Sequence, residues 1–171
     1  MPKKINLRML DIFCVSTPDG VGSAIRLAER YGEVDNRAFH THTGLIVNET
    51  GRTIEALHRY AYNHLNEYSG QHIIIGRHRR MKRDMALSGI AKLQKYIGKR
   101  YPYSRLPLIG LFPRLSKYLY WGKPVCSELS LLGWHEAGVI GFWKGVTPAY
   151  VADMIRLWRS IEIIYDNIWE A

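Results

Sequence analysis

Cys126 lies in the run Gly122-Lys123-Pro124-Val125-Cys126-Ser127-Glu128-Leu129, where a proline-ended turn leads into a helix-forming stretch. A thiol in the first turn of a helix meets the partial positive charge of unpaired N–H groups. That charge favours thiolate, and an exposed thiolate is a nucleophile. Such a nucleophile needs a base. Phe39-His40-Thr41-His42-Thr43-Gly44-Leu45-Ile46-Val47 supplies histidines on a strand-like segment, and Thr53-Ile54-Glu55-Ala56-Leu57 supplies a carboxylate on the next one. A carboxylate holds an imidazole by one nitrogen while the other nitrogen takes the thiol proton. Cys126, His42 and Glu55 therefore read together as the nucleophile, base and orienting acid of a cysteine hydrolase.

The elements that must carry these groups follow from local patterns. Residues 10–16 are rich in strand formers and end at the turn Thr17-Pro18-Asp19-Gly20. Val21, Ile25 and Ala28 recur at helical spacing, and Gly32 closes that helix. The strand bearing His42 then turns at Asn48-Glu49-Thr50-Gly51, and residues 52–57 return beside it as a hairpin. An even-numbered turn puts Glu55 on the face of His42, directly opposite or diagonal, with Cβ atoms ~5 to 7 Å apart. Alternation puts His40 on that face too, as a second candidate base or as one of two histidines needing a third ligand to hold a metal. No HExxH or CxxC spacing occurs, so neither metal nor cofactor is expected. Cys14, in an apolar strand without a nearby base, reads as a small buried hydrophobe.

Residues 63–70 are polar and expected as a loop, and residues 71–76 are β-branched like an interior strand. Asp84 is expected to cap a helix whose Leu87, Ile90, Leu93 and Ile97 face inward and whose Lys92, Lys95 and Lys99 face out. Residues 101–121 are aromatic and punctuated by prolines, which suits a loop or lid. The Cys126 helix runs toward Gly138. Thr147-Pro148 starts another as N-cap and first position, and residues 161–165 form a last strand.

The chain of 171 residues is 47% hydrophobic, enough for one core, and reads as a single domain over 1–171. Two cysteines are too few for a disulfide framework. Arg8 and Asp11 interrupt any signal-peptide run, and no apolar stretch reaches ~18 residues. Synthesis in the cytoplasm, without a membrane span, is the expectation. The net charge of +9, concentrated in Arg77-His78-Arg79-Arg80-Met81-Lys82-Arg83, suits a polyanionic partner: nucleic acid, anionic lipid or an anionic cell-wall polymer. A solvated basic loop explains the same run.

The ordered set Asp11-Ile12-Phe13, His42-Thr43-Gly44-Leu45-Ile46-Val47, Ile54-Glu55-Ala56, Tyr101-Pro102-Tyr103, Val125-Cys126-Ser127-Glu128-Leu129 and Thr147-Pro148 resembles the circularly permuted NlpC/P60 cysteine hydrolases of YiiX/YebB type. The resemblance spans about residues 10 to 165. It implies an α+β, permuted papain-like fold, in which the helix bearing the cysteine packs on an antiparallel sheet bearing the histidine. Permutation accounts for the base preceding the nucleophile. The resemblance matches Cys126 to the nucleophile, His42 to the base and Glu55 to the orienting acid, and places Tyr103 beside the site; His40, for which the family pattern has no counterpart, is a further substrate-binding candidate from its shared strand face. It further implies a peptide or lipid acyl substrate; the basic surface suits an anionic envelope component, which envelope or virion delivery would reach. The alternative is an inactive fold serving as a structural or nucleic-acid-binding module.

Overall fold

The computed structural model describes residues 5–17, 40–105 and 122–167. The helix expected over 21–32 lies outside the described residues, as does the aromatic stretch from 106 to 121. Six strands form one antiparallel sheet: β1 (Ile12–Val15), β2 (His42–Ile46), β3 (Arg52–Ala56), β4 (Tyr60–His64), β5 (Ile73–His78) and β6 (Ile161–Asp166), in the order β4-β3-β2-β1-β5-β6. Among the described residues three α-helices accompany it: α1 (Arg83–Gln94), α2 (Cys126–Glu136) and α3 (Pro148–Leu157). The architecture is α+β. Among the described residues no helix is long and apolar enough to cross a membrane.

β1 reads as an unbroken apolar run because it pairs on both sides and is buried on both faces. Its register assigns every side chain to a layer. Ile12 and Cys14 share a face with Leu45, Ile54 and Ile74, and that face packs under the three helices with Leu93, Leu129, Trp134 and Val151. Phe13 and Val15 point the other way, with Ile46, Ile73 and Ile75, against Leu7 and Tyr68. Each fully buried aliphatic or aromatic side chain of this kind contributes ~1.5–3 kcal/mol. Trp134, wholly buried, also donates from Nε1 to the Leu10 carbonyl at 2.7 Å, tying α2 to the chain entering β1.

Three expectations are corrected. The segment before residues 63–70 is strand β4, whose last two residues fall inside the expected loop. As an edge strand it is largely half-buried, so Tyr60-Ala61-Tyr62-Asn63-His64 lacks a clean apolar alternation. The basic run is not one solvated loop, because Arg77 and His78 are buried in β5. Arg77 grips Asp11 through Nε and Nη2 at 2.8 and 2.7 Å and donates to the Asn6 carbonyl at 2.6 Å. Finally, α1 begins one residue before Asp84, and its inner face is Ala86, Gly89, Ile90 and Leu93, leaving Leu87 half exposed. The contact with α2 explains the shift: a Cβ on Gly89 would stand 2.6 Å from the Gly133 carbonyl oxygen. The helices approach through glycines, which an apolar periodicity cannot register.

Candidate active site

Cys126 is the first residue of α2, and the turn delivering it is held at three successive positions. Arg105 Nη1 donates to the Lys123 carbonyl at 2.9 Å, Tyr60 Oη donates to the Pro124 carbonyl at 2.6 Å, and the Val125 N–H donates to Glu128 Oε2 at 3.1 Å. Glu128 sits three residues beyond the cap, where a carboxylate folds back on the helix start. It is wholly buried and paired with buried Arg105, through Nη1 at 2.5 Å and Nη2 at 3.0 Å, and it also accepts from the Gly145 N–H at 2.9 Å. The Val125-to-Glu128 spacing carries this signal in the sequence. Nothing local points to Arg105.

His42 opens β2 and meets Glu55 of β3 through Nε2–Oε2 at 2.8 Å. Gly44 pairs directly with Glu55, so His42 and Glu55 are diagonal neighbours on one face. Gly44 makes that diagonal contact feasible. A Cβ there would lie 2.6 Å from two Phe13 ring carbons and 2.8 Å from Glu55 Cγ. Glu55 also accepts from the Thr53 and Tyr68 hydroxyls, so both carboxylate oxygens are engaged. Burial raises its pKa, but the bonds to His42, Thr53 and Tyr68 and the His42 charge reverse that, and the carboxyl is held below its ordinary range.

With Nε2 given to Glu55, the other ring nitrogen is left for Cys126, to which His42 is also hydrogen-bonded. Burial alone would lower the imidazole, yet its bonds to Cys126 and Glu55 and their negative charges push it up to about 10. Cys126, His42 and Glu55 thus form one line of contacts. The layers they come from differ. Alternation assigns His42 and Glu55 to the face of Phe13 and Tyr68, whose rings lie 6.3 and 6.0 Å from the imidazole, while α2 packs on the opposite face. They meet because His42 is the terminal residue of its strand, at the end of the sheet.

Tyr101, buried, accepts from the Cys126 N–H and directs its hydroxyl at Sγ, 4.0 Å away. Burial first, and then the neighbouring cysteine charge, keep this phenol protonated well above its ordinary range. Tyr103 is 41% exposed, stacks edge-on against Tyr101 with centroids 4.9 Å apart, and shares a 2.5 Å hydrogen bond with His58 Nδ1. His40 does not join the cluster. β2 starts at His42, so strand alternation does not extend to it; it is buried near Arg156, Asp166 and His72, and burial pulls its imidazole down to about 4. Cys126 itself is only 3% exposed, packed with Val125, Leu129 and Tyr101, whereas an exposed thiol was expected.

The fold has a solved counterpart. The chain aligns with the crystal structure of the metalloprotein YiiX from Escherichia coli O157:H7 at a TM-score of 0.58 and 16% identity, covering 88% of this chain and 82% of that one. The chain shares the fold of YiiX. The YiiX likeness agrees with the segment order from Asp11 to Thr147-Pro148. No family model and no curated protein gives a match to the chain.

Proposed function

We propose that the protein is a thiol-dependent hydrolase of amide or ester bonds, with Cys126 as nucleophile, His42 as general base and acid, and Glu55 as the group that orients and charges the ring. The observation that carries this reading is His42 held between Glu55 Oε2 and Cys126. The Cys126 thiolate adds to the carbonyl carbon, and the carbonyl oxygen takes up the negative charge. The Tyr101 hydroxyl, 4.0 Å from Sγ, is the side-chain donor placed to reach that oxygen. The His42 imidazolium protonates the leaving amine or alcohol as its bond to carbon breaks, giving an acyl-enzyme. His42, now neutral, takes a proton from water; the hydroxide displaces sulfur, and the acid leaves. The basic surface supports an anionic substrate, a peptide or lipid-linked acyl group of the cell envelope.

YiiX is described as a metalloprotein. The residues here do not fit a resident metal: Cys126, His42 and Glu55 are strung in a line with the His42 nitrogens already committed, and among the described residues no three His, Cys, Asp or Glu side chains converge. No step of the mechanism passes through one.

Alkylation by iodoacetamide across pH tests the proposal. Rapid labelling of Cys126 below pH 7, slowed by His42→Ala, is the expected result. Labelling no faster than that of wholly buried Cys14 would mean an inactive fold.

A further inference from the structure

At the end of β2 away from His42, a cavity of about 670 Å³ opens between the chain entering β1, the turn after β2 and the start of α1. Its charged lining is Arg8, Arg77, Lys82 and Arg83 against the single carboxylate of Glu49. Arg77 is already committed to Asp11. Among the described residues Lys82 and Arg83 enter no ion pair, and both are exposed at the cavity rim. Lys82 caps α1 without a side-chain hydrogen bond, so the first N–H groups of this twelve-residue helix add their positive end to the same wall. Met9, Met81 and Ala86 add apolar surface, and Asn6, Asn48 and Thr50 add uncharged polar groups.

Cationic side chains around a concave, partly apolar cavity match a doubly charged oxyanion on a compact hydrophobic body, because guanidinium groups take phosphate oxygens in pairs and the low-dielectric wall strengthens the attraction. We infer that this cavity binds a phosphate-class anion carried on an apolar group. The inference gives a role to the Lys82 and Arg83 end of the basic run, which the hydrolase site leaves unused. A soluble phosphomonoester and an anionic lipid headgroup share this chemistry.

The test uses the full chain with two probes, phenyl phosphate in a calorimetric titration and phosphatidylcholine vesicles with or without phosphatidic acid in co-sedimentation. Two charge-reversed variants are compared: Lys82→Glu/Arg83→Glu at the cavity, and Lys92→Glu/Lys95→Glu at the far end of α1, which changes the net charge equally. Saturable phenyl phosphate binding, weakened at least tenfold by the first variant and little by the second, establishes the site for a soluble ligand. The same dependence seen only with phosphatidic acid vesicles establishes it for a lipid headgroup. Absence of saturable binding to either probe, or binding that the first variant leaves intact or both variants weaken equally, overturns the inference. Cys126 alkylation is unaffected by the first variant, so the outcome is independent of the hydrolase reading.

Discussion

An imidazole flanked by a cysteine sulfur and a carboxylate keeps its proton to high pH, and at the residue scale this sets the alkaline limit of the proposed chemistry. His42 is pushed up to about 10, so the imidazolium that protonates the leaving group persists through neutrality and is lost as pH rises through that value. Hydrolysis measured as kcat/KM against pH should show its alkaline fall near there. Glu55→Gln removes one raising influence, so that fall should move to lower pH; a profile that stays in place would remove Glu55 from the mechanism. His42→Ala should lower kcat by roughly 10²- to 10⁴-fold, the usual share of general acid–base catalysis. The contact between His42 and Glu55 was legible in the sequence because a hairpin register puts them on one face, and the place of Cys126 at a helix start because Pro124 precedes it. Thr53 and Tyr68, which complete the carboxylate's shell, were not, since a hydroxyl on a strand or after one has no distinctive spacing. The burial of Cys126 was equally hidden, because what covers a helix start depends on distant residues such as Tyr101.

At the scale of elements, the β2–β3 hairpin and the start of α2 must each be exact for the groups to meet. Gly44→Ala forces a methyl against Phe13 and Glu55; overpacking of this kind costs ~1–3 kcal/mol, readable in urea denaturation, and should slow Cys126 alkylation by displacing the carboxylate. Arg105→Ala leaves Glu128 buried without its partner. A loss of ~3–5 kcal/mol is expected, and a variant as stable as the parent would show that the pair does not anchor the turn before Cys126. The α2 start and the Thr147-Pro148 cap of α3 were readable from local chemistry alone. The inner face of α1 was not, because it is chosen by the Gly89–Gly133 approach of two helices remote in sequence. β4 escaped for a related reason: a half-buried edge tolerates Asn63 and His64 where an interior strand would not.

Across the whole molecule, the sheet separates a helical layer from a layer built on Phe13, Tyr68 and the chain entering β1. Arg77 spans toward that entering chain through Asp11 and the Asn6 carbonyl. Arg77→Gln should therefore raise amide hydrogen exchange over residues 5–11 well before it alters exchange in α2. The α+β class and the strands other than β4 followed from the sequence through their composition and the turns between them, whereas the order of strands in the sheet and the assignment of His42 to the face away from α2 needed the register. That division has a functional corollary. Sulfur and imidazole belong to different slabs that touch only at the sheet's rim, so a slippage between slabs too slight to melt either one would uncouple them. Increasing urea should accordingly abolish alkylation-detected activation of Cys126 at concentrations where circular dichroism still reports an intact fold, making the thiol's reactivity a more sensitive gauge of interlayer alignment than the spectrum.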